Sequence, residues 1–388
     1  MGATQTKNIR TSVKIAIDIR HLSQKNQSGV GHYTLRLINE LAKLSPNDEF
    51  ILFAAGSKKT LQKIPTWQRN NITLVKTKIY NRLLNLLLLL RLRTLESFLP
   101  TQPDIWFFPN VNIVYTRLTY AITVHDISFV FLPDVFTFKQ ILWHKVAQVK
   151  KLVQNSYIVL AVSKSTQQDL EEHWQIDTTK IFVTPLGVTA DFQAKQQPHD
   201  QTFLRVYQIN FPYFLTLSTL EPRKNLESVV EAYTLWRART NKKTHLVVAG
   251  AEGWKTKNLY KLASVSPFAN DIHFIGYVED KHRPTLFRQA EAFLFPSYWE
   301  GFGLPALEAI ACGTPTIASF MSSMPEVVGQ AGLLVDPFVP SDIADALQIL
   351  DSETTRANFK HLCTEQARLF TWNQTAERTL SALKTIKI

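Results

Sequence analysis

The densest chemical signal in this 388-residue sequence is Phe295-Pro296-Ser297-Tyr298-Trp299-Glu300-Gly301-Phe302-Gly303-Leu304-Pro305-Ala306-Leu307-Glu308. An apolar strand ends at Pro296, a glycine-punctuated loop follows, and Pro305 suits the first turn of a helix that Gly313 can terminate. Backbone N–H groups of such a loop, feeding a positive helix end, favour a phosphate or an oxygen-rich ligand. Seven residues separate Glu300 from Glu308, and an intervening helical rise would space them by about 12 Å at most. Two carboxylates at that separation could each accept hydroxyls from one end of a sugar nucleotide. They could equally be unrelated solvated acids beside a buried helix.

A second signal is Ser218-Thr219-Leu220-Glu221-Pro222-Arg223-Lys224-Asn225, directly after an apolar run. Arg223 supplies a bidentate fork and Lys224 a mobile point charge, a pair suited to a diphosphate leaving group, although adjacent cations are often a solvated surface pair. His125-Asp126 follows another apolar run and can face a cleft, or His125 can be a satisfied core histidine. Gly29-Val30-Gly31 lacks the third glycine of a dinucleotide fingerprint. No Asp-x-Asp pair or His/Cys cluster with ligand spacing occurs, so no metal site is expected.

These motifs sit at the ends of elements that alternate. Val13–Ile19 reads as a strand, Ser28 to Gly31 as a loop, and Tyr33–Leu44 as a helix. Further strands are predicted at Phe50–Phe53, Ile105–Phe108, Ala121–Val124 and Ile158–Val162, with helical patterns between several of them. After a polar stretch, Gln193–Gln201, the pattern restarts with strands at Phe214–Ser218, His245–Ala249, Ile272–Ile275, Ala292–Phe295 and Thr314–Ala318. The fold class is therefore α/β, with two Rossmann-like, doubly wound halves in tandem over residues 1–195 and 196–370. Trp372–Ile388 reads as one amphipathic helix.

Apolar residues at 45% and charged residues at 19% exclude a disordered or low-complexity chain. Cys312 and Cys363 are too few for a disulfide framework, which fits a reducing cytoplasm. Met1–Lys14 has no apolar core of the signal-peptide kind, and Leu83–Leu90 is far shorter than a membrane span, so a soluble, unexported chain is expected. Met1-Gly2-Ala3-Thr4-Gln5-Thr6 formally fits an N-myristoylation pattern, one short enough to recur by chance. Net charge is +11, and residues 1–100, with 16 Lys/Arg against 5 Asp/Glu, carry all of it. Such a surface seeks phosphates.

Taken together, Ile17-Asp18 with Ser28 to Tyr33, Val124-His125-Asp126, Thr184-Pro185-Leu186-Gly187-Val188, Leu220 to Asn225, Phe274 to Val278 and the Glu300 to Glu308 motif resemble the retaining glycosyltransferases of family four. The resemblance runs almost end to end. It implies the GT-B fold, two Rossmann-like domains facing a central cleft, an acceptor domain followed by a donor domain, with a C-terminal helix (371–388) crossing back to the first. It implies that Arg223 and Lys224 bind the donor diphosphate, aided by amides around Gly29 and Gly31. It further implies that Glu308 holds the ribose, that Glu300 with Gly301, Phe302, Gly303 and Leu304 holds the hexose, that Gly276, Tyr277 and Val278 read the base, and that His125 adjoins the reacting carbon. His-Asp before the aromatic-rich Ile127–Phe138 looks like bacterial mannosyltransferases of surface-polysaccharide assembly. That likeness implies GDP-mannose as donor, with UDP-sugars open, a glycan or lipid-linked acceptor, no cofactor, no metal, and an α-linkage formed with retention.

Two other classes compete. A non-catalytic lipid-binding or nucleic-acid-binding protein on the same scaffold would explain the basic first hundred residues but not the retained Arg223, Lys224, Glu300 and Glu308. A phosphorylase or epimerase lacks its expected lysine motif. Arg82 to Arg93 sets a leucine run between arginines, the composition of either a helix lying on an anionic membrane or an ordinary buried helix. Nucleic acid is not expected as a partner.

Overall fold

The computed structural model describes residues 12–23 and 29–386. The Met1–Thr6 pattern, Ser28 and the last two residues of the amphipathic segment lie outside the described residues. Two parallel sheets are formed. The first holds β1 (Lys14–Asp18), β2 (Glu49–Ala55), β3 (Ile72–Thr77), β4 (Ile105–Phe108), β5 (Tyr120–Val124), β6 (Ile158–Ala161) and β7 (Ile181–Val183) in the order β3-β2-β1-β4-β5-β6-β7. The second holds β8 (Tyr213–Leu217), β9 (His245–Ala249), β10 (Ile272–Gly276), β11 (Ala292–Phe295), β12 (Thr316–Ser319) and β13 (Gly332–Val335) in the order β10-β9-β8-β11-β12-β13. Both are doubly wound, as expected.

Three strands escaped the sequence reading: β3, β7 and β13. All three are sheet edges, with incomplete burial that breaks the apolar run a buried strand shows. A second correction concerns Gly29 to Gly31, which form the first turn of the helix Gly29–Leu44 rather than a loop before it. A third concerns Glu300 and Glu308: helix begins at Leu304, so only the latter half of the intervening chain rises helically.

Strand order reverses between β1 and β4 and again between β8 and β11, and a doubly wound sheet opens its crevice at the carboxyl ends of such strands. One apolar cluster runs through a face of each sheet and includes Leu186, Leu204 and Trp372, while separate clusters cover the two remaining faces. The helix Trp372–Lys384 buries Trp372, Thr375, Ala376, Thr379, Ala382 and Leu383 at helical spacing. It lies on the first domain: the Thr375 hydroxyl donates to the Pro185 carbonyl at 2.6 Å, and a Cβ on Gly187 would stand 2.1 Å from the Trp372 nitrogen.

The leucine run forms the helix Asn81–Leu89, which buries Leu84 and Leu88 and leaves Leu83, Leu86, Leu89 and the following Leu90 and Leu92 exposed. Among the described residues no helix is long and apolar enough to cross a membrane.

Candidate active site

The segments that follow β5, β6, β8, β9 and β11, with the start of the helix Gly29–Leu44, line a cavity of about 500 Å³ between the two domains. Of the residues singled out in the sequence, Gly29, His125, Arg223, Lys224, Tyr277, Val278, Glu300, Gly301, Phe302, Gly303, Leu304 and Glu308 line it. Gly31 and Gly276 do not. Gly31 is buried inside its helix, and Gly276, with φ +70°, makes the turn that presents Tyr277 and Val278.

Pro222 opens a single 3-10 turn, Pro222–Lys224, and Asn225 closes it in the left-handed conformation that Asn tolerates best after Gly. The Asn225 amide donates to the carbonyls of Pro296 (3.1 Å) and Pro337 (2.6 Å), which ties the cationic turn to the end of β11. Arg223 donates from Nη1 to the Trp299 carbonyl at 2.7 Å and to Glu300 at 3.1 Å, and from Nη2 to Glu221 at 2.8 Å. Lys224 pairs with the other oxygen of Glu300 and lies 5.1 Å from the centre of the Phe295 ring. The two cations are thus already matched by two carboxylates. Burial would raise the Glu300 carboxyl, but Lys224 and Arg223 overcome it and hold the group at about 2.

Glu308 is paired with Arg283, a residue the sequence reading missed. Arg283 opens the short helix Arg283–Gln289 ahead of Pro284, and nothing local marks it as a site residue; its role appears only once that helix and the helix Leu304–Ala311 are side by side. Burial pushes the Glu308 carboxyl up, and Arg283 opposes that shift without cancelling it. Gly303 caps the helix Leu304–Ala311 with φ +89°, and a Cβ there would stand 2.2 Å from the Met324 methyl. Glycine is the residue that lets this chain turn the last strand residues into a helix N-terminus facing the cavity.

Across the cleft, His125 Nε2 lies 2.9 Å from the Pro109 carbonyl, so that nitrogen carries the proton and Nδ1 is left as the acceptor. Tyr33 packs edge-on against the ring at 4.9 Å. Burial lowers the imidazole pKa, against the Pro109 bond and the Asp126 charge, so His125 is held neutral. Beneath it, burial lowers His21 to about 4, and Arg20 and Asp18 form a buried pair at 2.7 Å.

The domains meet closely. A Cβ on Gly301 would stand 1.6 Å from the His125 carbonyl oxygen, and the Thr166 hydroxyl lies 3.3 Å from the carbonyls of both His125 and Gly301. Glu326 accepts the Lys164 and Ser165 amides at 3.1 and 3.2 Å, the Trp254 indole donates to the Val135 carbonyl at 2.7 Å, and His32 faces Asp280 at 3.5 Å. Among the described residues no group of three or more His, Cys, Asp or Glu could hold a metal ion.

Two facing Rossmann-like sheets with cations, carboxylates and a helix N-terminus lining the cleft between them form the GT-B architecture. The family descriptions "Glycosyltransferase Family 4" and "Glycosyl transferases group 1" match residues 27–192 and 204–368. The O-antigen chain mannosyltransferase B of Escherichia coli is 30% identical over 371 residues, covering 92% of this chain and 96% of that protein. A serotype-specific mannosyltransferase of E. coli is 29% identical over 62% of this chain and 29% of its own length. In structure, a sucrose-phosphate synthase from Thermosynechococcus elongatus (TM-score 0.75, 18% identity, 96% and 98% of the two chains) is similar. So is an Anabaena protein in complex with UDP and glucose (0.71, 18%, 96% and 100%). The chain belongs to glycosyltransferase family four, and glycosyl transfer is its activity.

Proposed function

We propose that this glycosyltransferase moves mannose from GDP-mannose to a glycan or lipid-linked sugar acceptor, with retention at the anomeric carbon and an α-linkage in the product. The observation that carries the reading is the convergence of Arg223, Lys224, Glu300, Glu308 and the Gly301–Leu304 backbone on one interdomain cavity, in a chain 30% identical to an O-antigen mannosyltransferase. Arg223 and Lys224 take the diphosphate, with the amides of the Gly29–Leu44 helix start opposite. Glu308 takes the ribose hydroxyls, Glu300 and the loop amides the hexose, and Tyr277–Val278 the base.

Departure of the diphosphate is assisted by the two cations and the helix N-terminus, which stabilise charge where it develops. Their placement supports a reaction that needs no positioned divalent ion and no cofactor. The acceptor hydroxyl then attacks from the face the diphosphate leaves. His125, neutral and fixed by Pro109, lies beside that centre as a hydrogen-bonding group rather than a charge. Closure of the cleft excludes water and aligns the reactants. This convergence does not favour the non-catalytic alternative.

In this reading the acceptor side works at an anionic membrane surface on the cytoplasmic face. Supporting this are the exposed Leu83, Leu86, Leu89, Leu90 and Leu92 beside Arg82, Arg91 and Arg93, and a second exposed apolar stripe, Phe138, Leu142 and Val146, on the helix Phe138–Val146. Basic residues near an anionic leaflet contribute about 1 kcal/mol each.

The test is incubation with GDP-mannose, GDP-fucose, UDP-glucose and UDP-N-acetylglucosamine, with and without chelator, reading donor hydrolysis and, with acceptor, the anomeric configuration by NMR. Turnover of GDP-mannose above the others, unaffected by chelator and giving an α-product, is expected. Preference for a UDP-sugar, a β-product, or loss of turnover restored only by a divalent ion would each overturn the corresponding part.

A further inference from the structure

Trp299 has two attachments. Its carbonyl holds the Arg223 guanidinium at 2.7 Å, and the Arg223 carbonyl in turn accepts the Tyr298 amide at 2.9 Å, so Tyr298 to Glu300 and Arg223 form one piece of the second domain. Its side chain crosses to the first domain, where the indole packs on Phe131 with ring centres 5.0 Å apart. Beside it lies Asp169, on the helix Lys164–Trp174, whose amino end already receives Glu326 from the second domain and whose Thr166 touches Gly301. Asp169 is 7% exposed, and its Oδ2 and the Trp299 Nε1 are both buried with no hydrogen-bond partner. A buried carboxylate oxygen and a buried indole N–H, adjacent and each unsatisfied, are an acceptor and a donor one small movement from a bond.

We propose that Asp169 is a positioning residue for glycosyl transfer: from the first domain it receives the Trp299 indole N–H as the cleft closes, and so sets Glu300 and the Arg223 guanidinium that Trp299 carries. It does not touch the reacting atoms. It acts through Trp299, and the assignment rests on reading Trp299–Glu300 as part of the donor loop.

The electrostatics give this contact a signature. Burial pushes the Asp169 carboxyl up to about 7; the Trp299 indole opposes the shift, and the charges of Asp126, from the loop after β5, and Glu172, from its own helix, reinforce it. Bringing the two domains together around Asp169, as they stand in this structure, therefore takes up a proton. The closed form is favoured while the carboxyl is neutral and loses ground as pH rises from the ordinary carboxyl value of 3.8 toward 7, above which the loss is complete. The Asp169→Asn variant keeps an acceptor oxygen for the indole and does not titrate, whereas Asp169→Ala removes the acceptor at every pH.

Two measurements on the full chain test this. Hydrogen–deuterium exchange with GDP present, at pH 6, is expected to show several-fold faster exchange of the 298–303 amides in Asp169→Ala and in Trp299→Phe, and wild-type exchange in Asp169→Asn. This readout does not depend on which sugar is transferred. Hydrolysis of whichever nucleotide sugar the wild type turns over is expected to show kcat reduced roughly tenfold or more by Asp169→Ala with KM little changed. The ratio of the Asp169→Asn rate to the wild-type rate should rise from pH 5 to about 7 and level off above. Unchanged exchange in Asp169→Ala and Trp299→Phe, or a rate ratio that is flat with pH, would overturn the assignment. If Asp169→Ala does not fold, Trp299→Phe and the Asp169→Asn rate ratio decide it alone.

Discussion

Glu300 pairs with both cations proposed to take the diphosphate, and replacing it by Gln separates its two effects. Glu221 and Glu300 balance Arg223 and Lys224, so an incoming diphosphate meets a cluster with no net charge. Glu300→Gln leaves the cluster with one uncompensated positive charge. At an effective dielectric of about 20 and a separation of about 6 Å, one unit charge acting on another is worth about 3 kcal/mol, before screening. GDP and UDP should therefore bind Glu300→Gln tenfold or more tighter than the wild type. Transfer should move in the opposite direction, by a hundredfold or so, because a carboxylate acceptor for the hexose hydroxyls is lost. The domain also loses stability. A carboxyl held at about 2 instead of 4.5 contributes about 3 kcal/mol that is present above pH 4.5 and lost as pH falls toward 2. Isothermal titration with GDP and UDP, beside initial rates of donor turnover, checks both directions. If Glu300→Gln weakens nucleoside diphosphate binding as Arg223→Ala does, Glu300 supports the cations and does not compete with the diphosphate, and the reasoning fails.

Arg223→Ala and Glu308→Ala should each weaken donor binding or turnover tenfold or more, the value of one charged hydrogen bond of about 1.5–3 kcal/mol, while circular dichroism stays unchanged. Normal activity in both would remove the donor-site assignment. Gly301→Ala should abolish transfer yet leave GDP binding within a few-fold, since the added Cβ collides with the His125 carbonyl of the other domain and blocks closure. Equal loss of both would place the collision within the donor domain. Liposome co-sedimentation should show salt-sensitive binding to anionic but not neutral lipid, abolished when Arg82, Arg91 and Arg93 become Glu; equal binding to both lipids would refute the membrane reading.

What could be read from the sequence divides along burial. Strands β4, β9 and β11 coincide with their predicted limits because four consecutive buried residues in each leave an uninterrupted apolar run. Edge strand β3, Ile72–Thr77, mixes exposed and half-buried positions and leaves no such trace. The site residues that could be found lie in contiguous motifs where β strands end, as Arg223 and Glu300 do. Arg283 and Asp169 could not, because each acquires meaning from a partner far along the chain, Glu308 and Trp299 respectively, and neither local spacing nor composition records that proximity. The pairing of Glu300 with both cations was equally invisible: a sequence shows two charges of each sign, not that they already satisfy one another.

The crossing-back helix has a consequence for the order of assembly during synthesis. Chains emerge from the ribosome amino end first, and early domains ordinarily fold as they appear. Here the helix Gly29–Leu44 packs against Trp372–Lys384, and Gly187 has no side chain because the Trp372 backbone occupies that space. More than three hundred residues separate the two packed helices. The apolar flank that Tyr33 shares with Trp372 therefore waits, uncovered, through translation of the whole second domain. A stop codon placed before Trp372 would therefore leave that flank of the acceptor half uncovered, although the missing helix follows the donor half in the chain.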